Sequence, residues 1–330
     1  MNILNCIFIL GGILLATQTL SAQDKYTMTV SLDGKGDFTS IQAAINASKA
    51  YPDQRVVINV KNGIYKEKVL VPACNTNLSI IGESVEKTII TFDDYFNKIN
   101  KGRNSTFYTY TMLVLANDFR MENVTVENSA GPVGQAIALY IEGDHSFIRN
   151  CHILGNQDTL LASGHFSRQY FENCFIEGTT DFIFGEATTL FENCTIHCKT
   201  NSFITAASTP EGKPYGFVFR NCKITAATGV DKVFLGRPWR SFAKVAYLNC
   251  EMGSFVRPEG WDNWSKAENE KTAMFAEYNN SGAGALTSGR VSWTVRLSEK
   301  DAAGYSKEHI FAPFGWEADN GKKWYDNDIK

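Results

Sequence analysis

Five Asn-Cys dipeptides recur through the middle of the chain: Arg149-Asn150-Cys151, Glu172-Asn173-Cys174, Glu192-Asn193-Cys194, Arg220-Asn221-Cys222 and Leu248-Asn249-Cys250. A sixth copy, Met121-Glu122-Asn123-Val124, carries Val in place of Cys. Positions 124, 151, 174, 194, 222 and 250 are separated by 27, 23, 20, 28 and 28 residues. Self-similarity at such a period marks a solenoid, in which each unit buries its apolar face only against its neighbours. The units contain short β-rich runs such as Gly216-Phe217-Val218-Phe219, separated by turn residues such as Gly155, Gly178 and Gly185. None has a 3.6-residue period long enough for a helix, so each coil is expected to consist of strands. The expected fold is therefore all-β, a single-stranded parallel β-helix, with equivalent residues stacked about 4.8 Å apart from coil to coil.

An open solenoid end needs a cover. Ser40 to Ser48, with Ile41, Ala44, Ile45 and Ala47 on one face and Thr39 as N-cap, is expected to form a short N-terminal capping helix. From about residue 258 the repeat fades into Trp-, Gly- and Asn-rich sequence, expected to form long loops and a C-terminal cover.

The first 22 residues carry no charge, and Ile3 to Ala16 is an almost continuous apolar run followed by small and polar residues. This reads as a signal peptide over residues 1–22, with one catalytic domain over 23–330 and export to the periplasm or extracellular space. The run is too short for a comfortable membrane span, so no stable membrane insertion is expected after cleavage. With 35 acidic and 32 basic side chains the net charge is −3, which leaves no basic footprint for nucleic acid.

Setting aside Cys6 leaves seven cysteines, an odd number, so at least one stays free. A column of buried thiols is the simplest reading. The shortest intervening coil makes Cys174 and Cys194 the pair expected to form a disulfide. Strand alternation puts Cys194 and Cys198 on the face opposite His197, which argues against a metal cluster there.

Overlaying the repeats brings out a second coincidence. Asp158 lies seven residues after Cys151 and Asp181 seven after Cys174, so the two carboxylates are expected to stack on adjacent coils. Two anions that close raise one another's pKa and need a cation or a shared proton, which makes the pair a functional candidate; two turn-capping Asp residues are the alternative. Gln135 could cap a strand, and Arg237 beside Trp239 could be a surface stack. The absence of a Gly-x-Ser-x-Gly elbow argues against a serine hydrolase.

Taken in order, Gly63-Ile-Tyr65-Lys-Glu67, Gln135-Ala-Ile-Ala-Leu139, Gln157-Asp158-Thr159-Leu160, Asp181-Phe-Ile-Phe184-Gly185, Leu235-Gly-Arg237-Pro-Trp239 and Ala283-Gly284-Ala285-x-Thr287-Ser288-Gly289-Arg290 resemble the pectin methylesterases, or pectinesterases, from about Val30 to Pro313. The resemblance implies a right-handed parallel β-helix that hydrolyses methyl esters of galacturonate units in pectin without a cofactor or metal. Its substrate would be methyl-esterified pectin or oligogalacturonides, and the protein is expected to be a monomer. By motif, Asp181 would be the nucleophile, Asp158 the acid and then base, Gln135 and Gln157 oxyanion donors, and Arg237 the partner that keeps Asp181 ionised. Trp239, Phe184 and Thr106 would contact the sugar. Tyr140 stands where plant members carry a basic residue, and the segment between Thr200 and Thr209 is shorter than theirs. A β-helix glycosidase or lyase, and a non-catalytic carbohydrate-binding β-helix, are the alternative functions.

Overall fold

A computed structural model describes residues 25–314 and 323–326; the expected signal segment lies outside them. The chain winds into coils whose strands build three parallel sheets of eleven, seven and eight strands. One coil runs through Arg168–Glu172, Phe175–Gly178 and Ile183–Gly185 before the next begins at Thr188–Glu192. Consecutive segments therefore lie in different sheets, and hydrogen-bonded neighbours come from successive coils. This is the parallel β-helix expected from the repeat.

The Asn-Cys pairs form the turn between the eleven- and eight-stranded sheets. Asn123, Asn150, Asn173, Asn193, Asn221 and Asn249 all take left-handed backbone conformations, φ 51–55°. Asn adopts this conformation more readily than other non-glycine residues. The turn reverses the pleat, so the next residue points inward: Cys151, Cys174, Cys194, Cys222 and Cys250 are buried. Amides inside the turn continue the intercoil ladder, as where Asn150 N donates to Glu172 O and Asn173 N to Glu192 O, both at 3.0 Å. Inside the coil, Phe171, Phe191, Phe219 and Tyr247 stack face to face, with centroids 5.1, 4.6 and 4.4 Å apart.

The expected Cys174–Cys194 disulfide does not form; both are free thiols, as are all seven described cysteines. In-register parallel stacking points their Cβ atoms the same way about 4.8 Å apart, whereas a disulfide wants Cβ atoms about 3.8 Å apart and turned toward each other. Each thiol instead meets backbone carbonyls, Cys174 Sγ reaching Ile148 O at 3.5 Å and Cys194 Sγ reaching Phe171 O at 3.5 Å.

Two boundaries also differ from expectation. The capping helix runs Ile41–Ala47, and Ser40 rather than Thr39 is its N-cap, accepting from Ala43 N; Ile41, Ala44 and Ile45 are its buried face. The solenoid also continues past residue 258: Met274–Tyr278 and Val295–Arg296 extend the eleven-stranded sheet, and Asn279 repeats the left-handed turn at φ 48°. Only then do Glu299–Ala303 and Lys307–Ile310 fold back, so that Tyr305, Ile310 and Phe311 join Tyr170, Leu190 and Val218 on the outside of that sheet.

Candidate active site

The seven-stranded sheet carries the site on its outer face. Its strands are short, and in-register pairing places Leu113, Tyr140, Leu161, Phe184, Ala206 and Arg237 in one row along the solenoid axis. Ile137, Leu161, Phe184 and Ala206 form an apolar cluster separate from the interior, flanked by Phe107, Tyr140, Trp239 and Trp264. In this strip of rings and aliphatic groups the four core residues are buried, and Tyr140, Trp239 and Trp264 along its margin are half-buried. Thr106 is buried in the short helical segment Gly102–Tyr108 beside Phe107, at the edge of the strip. Phe184 is 5.9 Å from Trp239 between ring centroids.

Asp158 and Asp181 sit in the turns that lead into this sheet, two residues before the strands Leu160–Ala162 and Ile183–Gly185. Pairing of Leu160 with Ile183 makes them equivalent positions on adjacent coils, as the sequence overlay predicts. Both backbones are left-handed, φ 63° and 50°, and both side chains are buried, 5% and 7% exposed. Their amides hook onto the following coil, Asp158 N to Thr180 O at 3.2 Å and Asp181 N to Phe203 O at 2.9 Å. Non-glycine residues pay for this conformation, and observed strain of this kind concentrates at functional sites.

The two carboxyls have different neighbours. Arg237 grips Asp181 with a two-pronged fork, Nε to Oδ1 at 2.9 Å and Nη2 to Oδ2 at 2.6 Å. Asp158 has no such salt bridge among the described residues; the nearby Gln135 amide and, at longer range, Arg237 favour its ionised form. Burial, then the charge of Asp181, pushes Asp158 up to about 8, only partly offset by Gln135 and Arg237. Asp158 is therefore protonated at neutral pH. Burial also raises Asp181 above the ordinary carboxylate range, with Arg237 opposing and Asp262 adding to the rise. Arg237 acts in the expected direction, favouring the ionised form, but desolvation is the larger influence, so the guanidinium limits a rise that burial imposes. The contrast between the two carboxyls remains, because only Asp181 has a charge-assisted fork.

Gln135 and Gln157 are bridged across adjacent coils, with both residues half-buried beside Asp158. Two glycines of the motifs have steric causes. A Cβ on Gly185, at φ 121°, would lie 2.1 Å from Ala162 O, and one on Gly236 would lie 1.9 Å from Thr205 Oγ1. The first lies between the coils that carry Asp158 and Asp181, the second between the two coils that follow, the latter of which carries Arg237.

Phe203, Asp262 and Trp264 are near Arg237 or Asp181 and were not singled out by sequence. The Arg237 guanidinium carbon lies 3.9 Å from the Phe203 ring centroid and 3.8 Å from that of Trp264. Phe203 opens the strand after the Thr200 turn, in register with Phe234 but outside the Asn-Cys pattern, and Trp264 comes from an irregular loop. Cys194 and Cys198 are buried and His197 is half-buried on the outer side, facing Thr225 Oγ1 at 3.0 Å. Among the described residues no group of three or more His, Cys, Asp or Glu side chains is arranged to hold a metal, and no helix is long and apolar enough to cross a membrane.

Comparison with known proteins gives the same family. The Pectinesterase family model matches residues 27–312. Pectinesterase 31 of Arabidopsis thaliana is 40% identical over 290 residues, covering 86% of this chain and 90% of its own. Other plant relatives are longer; the chain spans about half (49%) of probable pectinesterase/pectinesterase inhibitor 6 of the same plant. Among solved structures, the pectin methylesterase from carrot superposes with a TM-score of 0.81 at 32% identity, covering 86% of this chain and 92% of that one. Pectin methylesterase PemA from Erwinia chrysanthemi gives 0.78 at 27% identity, covering 89% and 98%. A mutant pectin methylesterase in complex with a hexasaccharide gives 0.76 at 26%, covering 87% and 97%. With the fold, the paired carboxyls and the ordered motifs in agreement, the chain belongs to the pectinesterase family of carboxylic ester hydrolases.

Proposed function

We propose that this protein removes methyl esters from galacturonate units of pectin, releasing methanol and leaving the sugar chain uncut. The observation that carries the reading is the asymmetry of two buried carboxyls on adjacent coils, one gripped by Arg237 and the other protonated at neutral pH. Asp181 attacks the C6 carbonyl carbon while the amides of Gln135 and Gln157 donate to the oxygen on which charge develops. As the carbon–methoxy bond breaks, Asp158 gives its proton to the departing methanol, leaving an anhydride between substrate and Asp181. The Asp158 carboxylate then takes a proton from water, the hydroxide attacks the anhydride carbonyl, and Asp181 leaves as the carboxylate. Asp158 is protonated again, and the sum is ester plus water to acid plus methanol.

Phe184 and Trp239 supply apolar surface for the sugar rings and the methyl group, with Thr106 at the edge of the same strip. The charge-free N-terminal segment supports export, which would bring the enzyme to its polymeric substrate, and the reading needs neither cofactor nor second subunit.

The test is methanol release from highly methylated pectin, run beside assays for new reducing ends and for unsaturated sugars, with and without EDTA. Methanol alone, undiminished by the chelator, is expected; reducing ends or unsaturated products would put the protein with glycosidases or lyases. Hydroxylamine partitioning tests the nucleophile. A common acyl-enzyme gives the same hydroxamate-to-acid ratio from methyl and ethyl esters, because the alcohol has already left. A ratio that follows the alcohol would make Asp181 a general base for direct attack by water.

A further inference from the structure

Arg237 is the one cation within hydrogen-bonding reach of Asp181 among the described residues, and its side chain is held on three sides. One edge of the guanidinium donates twice to Asp181, while Phe203 and Trp264 occupy positions over its planar group at 3.9 and 3.8 Å. A cation over a ring face keeps its charge and is stabilised more strongly as water is excluded. Covering a guanidinium also restricts its torsions, so the fork reaches its carboxylate already oriented.

Trp264 comes from a braced loop. Trp264 and Ser265 are consecutive non-glycine residues with left-handed backbones, φ 60° and 55°. Such residues cost free energy, and two together persist only where the surroundings over-determine them. Here Trp264 N donates to Asp262 Oδ1 at 2.7 Å, Asn263 Nδ2 donates to Glu270 Oε1 at 2.7 Å, and Asn269 Nδ2 donates to Asn263 O at 3.1 Å. The ring that this strained loop delivers is placed over Arg237. On the other side, Phe203 is backed by Phe234, stacked at 5.2 Å and 11°.

We infer that Trp264 is a positioning residue: with Phe203 it clamps Arg237, and through Arg237 it fixes Asp181 for attack on the ester carbonyl. The inference rests on the proposed role of Asp181. Its difference from a sugar platform is specific: a platform acts through substrate binding, and the clamp acts through the guanidinium. Trp264 has no required contact with the substrate in this role, and its effect exists only while residue 237 is an arginine.

The test compares Trp264→Ala, Trp264→Leu and Trp264→Phe, each alone and with Arg237→Lys, by kcat and KM for methanol release from methylated oligogalacturonides, with thermal unfolding measured alongside. The clamp predicts that Trp264→Ala lowers kcat roughly 10-fold or more with KM within about twofold, and that Trp264→Phe restores most of the rate. Trp264→Leu, which fills space without a π face, should restore less than Phe. Because Arg237→Lys already removes the planar fork, adding Trp264→Ala to it should cost little more. A rise in KM with kcat intact would assign Trp264 to the sugar instead. Losses that multiply in the double variant, or Leu matching Phe, would overturn the clamp. Asp181→Asn separates the two levels: if it keeps near-native activity, the function proposed for Asp181 fails, whatever Trp264 does. If it is inactive and the Trp264 series departs from these expectations, only the clamp fails.

Discussion

Two turns of this solenoid use the same backbone device for opposite ends. At the Asn-Cys turn, a left-handed residue in coil after coil directs its side chain outward, and Asn150, Asn173, Asn193, Asn221 and Asn249 are exposed. At the turn entering the seven-stranded sheet, Asp158 and Asp181 have the same left-handed conformation, but their side chains are buried, and the charge of Asp181 acts on Asp158. The first turn satisfies its polar groups with water and the intercoil ladder. The second puts two carboxyls where burial costs free energy and recovers only part of it through Gln135 and Arg237. Regular stacking creates both situations, because whatever one coil carries, the next carries beside it. The polarity of the side chain and its distance from water decide whether the result is a stabilising ladder or a reactive pair.

The largest expected effect separates the two turns by activity. Asp181→Asn and Asp158→Asn should each lower kcat for methanol release by roughly 10²-fold or more, the scale of acid–base catalysis. Asn221→Gly at the other turn should leave kcat unchanged. A damaging Asn221 variant with normal unfolding would break the comparison.

Next comes the close approach behind Asp181. Gly185→Ala must hold an L-residue at φ 121° with its Cβ 2.1 Å from Ala162 O, and should lose about 3 kcal/mol of stability by denaturant unfolding. A near-native midpoint would show that the coils have room to part there.

The burial of Asp158 gives a pH signature absent from the Asn turn. Its folded pKa, about 8, lies above an unfolded value of about 3.9. The folded state therefore binds the extra proton between these values, and stability is lost as pH rises from about 4 to about 8. Asp158→Asn removes this loss, so its melting temperature should exceed the parent's by an amount that grows across that window and levels off above it. An equal difference at pH 4.5 and pH 8 would mean that Asp158 is not held protonated. The same titration predicts that kcat/KM falls as pH rises through about 8, where the free enzyme loses its acid.

The smallest effect tests the Asn ladder itself. Asn221→Ala should cost about 1 kcal/mol, because alanine lacks Asn's tolerance of left-handed backbone, and Asn221→Gly should fall within about 0.5 kcal/mol of the parent. Equal costs for both would mean that the Asn side chain, rather than its backbone, holds the turn.

Residue spacing alone establishes the coil architecture and the adjacency of Asp158 and Asp181. Both follow from a one-dimensional rule: in a parallel stack, residues one period apart become neighbours, so equal offsets from Cys151 and Cys174 are distances in disguise. The interior was legible for the same reason, since an Asn that turns left-handed sends the following Cys inward at every repeat. What depends on direction and on burial emerged only with the folded packing. It left Cys174 and Cys194 as thiols because stacked Cβ vectors run parallel, and it carried the solenoid on to Met274–Tyr278 without the Asn-Cys signature. It made desolvation, not Arg237, the dominant influence on Asp181. It also closed Phe203 and Trp264 over Arg237, and Trp264 comes from an irregular loop that no repeat spacing relates to the site.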